Sequence, residues 1–107
     1  MSKFNLADLE QRVRERAHTT AEESYTRTLL DKGVAHCAKK LNEEAFEIGL
    51  AAVQEDKSRV IAEAADVVYH LLVLMEARGV TIAEVEAELE RRTAQSGHEE
   101  KAARRRG

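Results

Sequence analysis

The sequence predicts an all-α fold, an antiparallel helical hairpin set in a bundle of about five helices. Three observations carry that prediction. The 107 residues contain no proline and only five glycines, so little interrupts a helix. Aromatic residues make up 4% of the chain, which leaves Leu, Ala, Val and Ile to build the core and gives a sheet little to pack with. Apolar residues also recur every three or four positions between recognisable caps.

Each element has its own signal. The first helix starts after Asn5, a favoured N-cap, with Phe4 placed to staple onto Leu9. Leu6, Leu9 and Val13 form its narrow stripe. HTTAEES is polar and reads as a connection, in which Ser24 or Thr20 caps a short helix, YTRTLLDK, that Gly33 ends. From Val34 to about Gln54 the spacing is helical, with Leu41, Ala45, Ile48 and Ala52 on one face. QEDKS is a turn with Ser58 as the cap of a helix from about Arg59 to Arg78, and Gly79 stops it. Thr81 and Glu84 form a capping box for TIAEVEAELERR. Residues 1–93 thus make one small domain, and 94–107 a basic tail without apolar period, read as disordered.

A chain of this length buries only about 60–70% of its unfolded surface, so association between copies is an expected supplement to a thin core. The net charge of −3 argues against a general nucleic-acid binder. Residues 91–107 hold six basic and two acidic residues (+4), while the first 90 hold 11 basic and 18 acidic (−7). ARRRG could act as an RNA-binding arm, but a solvated terminus is its ordinary role. The lone Cys37 excludes an intramolecular disulfide and fits a reducing cytoplasm. The charged N-terminus shows no signal peptide. The longest apolar stretch, Val67 to Met75, falls short of the ~20 residues of a membrane span. A cytoplasmic protein without membrane partners is expected.

The chemistry concentrates in two acidic groups. In KKLNEEAFE, Glu44 and Glu47 stand three positions apart, with Glu43 beside them; in EAAD, Glu63 and Asp66 repeat that spacing. At i,i+3 each pair shares a helix face. A short turn joins the two long helices, so they lie antiparallel and bring the pairs together. Carboxylates ~6 Å apart repel by roughly 3 kcal/mol per pair at an effective dielectric of ~20. Protonation, pairing with Lys or Arg, or a divalent cation must relieve that. An all-carboxylate set suits Mg²⁺ or Mn²⁺. Salt-bridged surface residues are the plain alternative, since Lys39 and Lys40 precede Glu43 and Glu44 by four. A di-iron bundle wants Glu-x-x-His; here His70 falls one turn after Asp66, where it serves as a partner of Asp66 or a core-edge residue.

EEAFE, fifteen residues and then EAAD resemble the EExxE…ExxD signature of the all-α, MazG-like nucleotide pyrophosphohydrolases. With SYTRTLLDKG, KKLNEEAFE and EAADVVYHLLVLMEARG, residues 4 to 92 look like the phosphoribosyl-ATP pyrophosphohydrolase family. The resemblance implies Mg²⁺-dependent cleavage of the α–β phosphoanhydride of phosphoribosyl-ATP, giving phosphoribosyl-AMP and pyrophosphate, the second step of histidine biosynthesis. It implies a tightly packed homodimer, with Glu44, Glu47, Glu63 and Asp66 as metal ligands. Glu43 would stand behind them or orient the attacking water. Lys32, Lys39 and Lys40 become candidates for holding phosphates, and Ser24, Tyr25 and Thr26 for lining the substrate site. Many relatives read KxGEE where Asn42 stands here, which bears on how closely a partner packs at that turn. The competing functions are a housecleaning nucleoside triphosphate pyrophosphohydrolase with the same metal site, and a helical dimerisation module with a solvated acidic face.

Overall fold

The computed structural model describes residues 3–54, 56–94 and 104, and among them are five α-helices and no strand. They are α1 (Leu6–Ala17), α2 (Tyr25–Asp31), α3 (Val34–Gln54), α4 (Lys57–Arg78) and α5 (Ile82–Thr93). The all-α expectation therefore holds, and most boundaries follow from local chemistry. Asn5 caps α1 in a reciprocal box with Asp8, and Thr81 does the same for α5 with Glu84. Ser24, not Thr20, caps α2 and accepts the Arg27 amide at 3.1 Å. Gly79 sits in the left-handed region at φ 69°, and the Val80 N–H bonds back to the Met75 carbonyl at 2.9 Å. That closes α4 at no Cβ cost.

Two local expectations need correction. Helix α4 begins at Lys57, because Asp56 rather than Ser58 is its N-cap. The Asp56 Oδ1 accepts from the Arg59 amide at 3.2 Å and from the Ser58 hydroxyl at 2.7 Å. Those two bonds, the hydroxyl's first, hold the Asp56 carboxyl below its usual range. Phe4 does not close into the core. It stays exposed under the Arg12 guanidinium, 4.7 Å from the ring centroid.

Helices α3 and α4 share the largest interface, as the antiparallel hairpin requires. The core lies towards one end of it, where Val13 of α1, Leu29 of α2, Cys37 of α3 and Ile82 of α5 meet Leu72, Val73 and Met75 of α4. The Cys37 thiol donates to the Leu29 carbonyl at 3.3 Å, and burial raises its pKa. At the edge of this core the hydroxyls of Thr26 and Tyr69 pair at 2.6 Å. Glu10 of α1 reaches the other side, where its Oε2 accepts the Ile82 amide at 2.7 Å and serves as a second acceptor for the start of α5.

The packing face of α3 is rotated from the expected one. Cys37, Leu41, Glu44, Ile48 and Ala51 turn inwards, whereas Ala45 and Ala52 are exposed. On the opposite side Phe46, Leu50 and Val53 form an apolar stripe in solvent. Between Ala45 and Asp66 only Ala51 and Glu63 are buried among the described residues, so the hairpin tip is just two helices thick. No helix among the described residues is long and apolar enough to cross a membrane. The expectation for the basic tail falls almost wholly outside the described residues.

Candidate active site

Where the tip joins the rest of the bundle, the hairpin brings three carboxylates together. One oxygen each from Glu44, Glu63 and Asp66 lies within 4.8 Å of the other two. Glu63 is buried, Glu44 half-buried and Asp66 exposed, so the group grades from floor to mouth. The i,i+3 spacing puts Glu63 and Asp66 on the side of α4 that faces α3, and the inward turn of Glu44 completes the group. Burial raises the Glu44 carboxyl above its ordinary value; the negative Asp66 and Glu63 add to this, and Lys40 partly opposes it.

Two cations attend the cluster. Arg59 Nη2 pairs with Glu63 Oε1 at 3.0 Å, one turn earlier on α4. Lys40 Nζ lies 3.3 Å from Glu43 Oε1, an i,i+3 contact in place of the expected i,i+4 pairing with Glu44. That hydrogen bond to Glu43 holds the Lys40 ammonium above its usual pKa. Glu47 is exposed and flanks the trio, acting on Glu44 only as a weaker negative neighbour. The donor set is oxygen throughout, with no thiolate or imidazole among the three. It fits a hard dication such as Mg²⁺ or Mn²⁺ far better than a soft metal.

His70 lies buried beside this group, edge-on to Tyr69 at 5.0 Å and to Tyr25 at 6.4 Å. Burial, and then Lys40, lower its pKa against the opposing pull of Asp66 and Glu43. Its imidazole is therefore neutral near pH 7, a core-edge residue packed between rings.

The residues considered for substrate divide sharply. Ser24 is buried and engaged in the α2 cap, and Thr26 is buried against Tyr69. Both hydroxyls already have structural partners. Tyr25 is exposed at the edge of His70. Lys32 is the exposed C-cap of α2, and Lys39 points to the outer side of α3. Of the three lysines, Lys40 is the one beside the carboxylates.

An open groove of about 650 Å³ runs along the outer side of α3, lined by Lys39, Asn42, Glu43, Phe46 and Glu47 among others. It touches the acidic group through Glu43 and Glu47, but the trio itself lies outside it. The convergent carboxylates, not this groove, form the candidate site. Arg59 is a member of the site that no motif in the sequence announces. Its i,i+4 spacing to Glu63 is the one signal that could have found it.

Comparison with known proteins converges with this geometry. The family model for phosphoribosyl-ATP pyrophosphohydrolase matches residues 6–93. The phosphoribosyl-ATP pyrophosphatase of Azorhizobium caulinodans is 61% identical over 104 residues, covering 97% of this chain and 95% of the relative. That of Methylobacterium nodulans is 57% identical, and phosphoribosyl-ATP pyrophosphatase 1 of Rhodopseudomonas palustris 54%, each covering 99% of both chains. With an acidic hairpin of this arrangement and a match over nearly all its described length, the chain belongs to the phosphoribosyl-ATP pyrophosphohydrolase family.

Proposed function

We propose that this chain hydrolyses the α–β phosphoanhydride of phosphoribosyl-ATP to phosphoribosyl-AMP and pyrophosphate, the second step of histidine biosynthesis. The observation that supports it most is the convergence of Glu44, Glu63 and Asp66 within 4.8 Å, in a chain of this family. Those three would hold Mg²⁺, or Mn²⁺ in its place, with Glu47 as a fourth ligand from the flank. When bound, such a cation neutralises charge on the phosphates and fixes their orientation.

The chain's own residues supply the rest. Glu63 is fixed at the floor by burial. Glu43 stands next to Glu44 with its carboxylate held by Lys40, and in this reading it stands behind the ligands or orients the attacking water. Lys40, with Arg59, brings positive charge to the edge of a site that is otherwise anionic. Three carboxylates at this spacing repel a polyanion, so a counter-charge is a condition of substrate binding as well as of chemistry.

The active form in this reading is a cytoplasmic homodimer. Phe46 is 66%, Val53 83% and Ile61 59% exposed on the hairpin tip. Fully burying such a side chain stabilises by ~1.5–3 kcal/mol, so a second copy on this stripe is favoured. Asn42 lies on the same outer side, where a partner would approach.

The test is pyrophosphate release from phosphoribosyl-ATP and from a panel of nucleoside triphosphates, with Mg²⁺ and with chelator, for wild type and Glu44→Gln. Preference for phosphoribosyl-ATP, with at least a ~100-fold loss in the variant, is expected if the lost ligand removes electrostatic stabilisation of the transition state. Equal or better turnover of a nucleoside triphosphate would transfer the chain to a housecleaning role. No release from any substrate would leave a dimerisation module.

A further inference from the structure

Glu63 is the carboxylate of the trio that solvent reaches least, and the partner the structure gives it is Arg59. The two sit one helical turn apart, with Nη2 3.0 Å from Oε1, and the guanidinium side chain is half-exposed while the carboxylate is nine-tenths buried. Arg59 therefore approaches from the solvent side. Its backbone amide is tied to Asp56 at the start of α4, and its side chain is free to swing about that fixed point. A divalent cation seated among Glu44, Glu63 and Asp66 needs an oxygen of the carboxylate that the guanidinium holds.

We propose that Arg59 is a displaceable counter-charge of the acidic site: it neutralises Glu63 until a divalent cation arrives, and the cation then takes over that carboxylate. The inference rests on the reading of the trio as a metal site. Three clustered carboxylates without compensation would strain the hairpin where it is thinnest, and one arginine removes a third of that charge at the position least able to shed it to water. The same arginine then competes with the incoming dication. Electrostatics set the direction. A +1 group within reach of the bound ion opposes its entry, and an i,i+4 pair with one exposed partner is weak enough to be broken by a charge of +2. Arg59 thus acts on cation binding through Glu63 and is not itself a ligand.

The test is direct titration of Mg²⁺ and Mn²⁺ into the full chain without substrate, by calorimetry and by Mn²⁺ electron paramagnetic resonance. Wild type, Arg59→Gln and Arg59→Lys are compared, with helicity checked by circular dichroism. Arg59→Gln is expected to bind the cation about threefold to tenfold more tightly, from the lost pairing and the lost repulsion together. It should also show a larger cation-induced rise in melting temperature. Arg59→Lys keeps the charge and should return most of the way to wild type. Weaker binding in Arg59→Gln would mean that the guanidinium orients Glu63 for the metal, and would overturn the proposal. Unchanged binding would overturn it too, by making the contact an ordinary helix-surface pair. Should wild type itself bind no divalent cation, the metal-site reading fails instead, and the two failures stay distinct.

Discussion

Glu44 is a residue whose charge the fold tolerates poorly and which the proposed reaction uses. Burial, first of all, and then Asp66 and Glu63 raise its carboxyl above the ordinary value. A raised carboxyl keeps, in the folded protein, a proton that the unfolded chain releases. The native state therefore loses stability as pH climbs from the ordinary carboxylate range through the raised value. In chelator at neutral pH, Glu44→Gln should melt above wild type, while below about pH 3 the two should coincide because both carry an uncharged group. Saturating Mg²⁺ should reverse the order, since only wild type gains the full binding free energy. Calorimetric melts with and without the cation check all three statements; a variant less stable than wild type in chelator would show that Glu44 is not strained. Glu88 has the opposite character. Paired with Arg91 and Arg92 on the surface of α5, its carboxyl is lowered to about 2, and it has no part in the site.

At the scale of elements, the helix ends were the most legible part of the sequence, because a cap is a matter of a few neighbouring residues. Asn5, Ser24, Thr81 and Gly79 act where the sequence places them. The packing face of α3 was less legible. Its 21 residues carry apolar side chains on two sides, and the largest of them, Phe46, faces solvent while the charged Glu44 turns inwards. Periodicity ranks faces by hydrophobicity, so a buried carboxylate misleads it. The same residue helped to make the candidate site recognisable, since i,i+3 acidic pairs on consecutive helices concentrate charge that something must relieve. Contacts across the fold were beyond reach. Glu10 lies 72 positions from the amide of Ile82 that it caps, and nothing local announces the pair. Arg14, 3.5 Å from Glu10 and 4.0 Å from Glu76, ties α1 to α4 in turn. Glu10→Ala leaves the first amide of α5 without this part-buried acceptor and should cost about 1–3 kcal/mol. In a domain of this size that amounts to a fall of about 4–8 °C in melting temperature for each kcal/mol. Urea denaturation of Glu10→Ala beside Glu10→Gln, which retains an acceptor oxygen, checks it; equal stability of both with wild type would show the contact to be idle.

As a whole the molecule is lopsided. Its core gathers at one end of the α3–α4 hairpin, the carboxylates lie further along, and the tip beyond them presents Phe46, Leu50, Val53 and Ile61 to solvent. If a second copy covers that tip, Phe46→Asp combined with Val53→Asp should yield monomers in analytical ultracentrifugation while α1 and α5 stay folded. Its specific activity should then be low at any concentration, whereas wild type should lose activity only on extreme dilution. A wild-type chain that sediments as a monomer would remove the homodimer from the reading. The tether between Glu10 and Ile82 also sets where the first helix begins. Glu76, which Arg14 approaches, is ten residues beyond Asp66 on α4, about 15 Å along the helix axis. From Arg14 the chain runs back through Glu10 and the Ile82 contact to Asn5, so α1 starts at the pole remote from the carboxylates. A polypeptide joined ahead of Asn5 would hang from that pole and leave the reaction end open. A domain added at that pole would therefore stand clear of the three carboxylates.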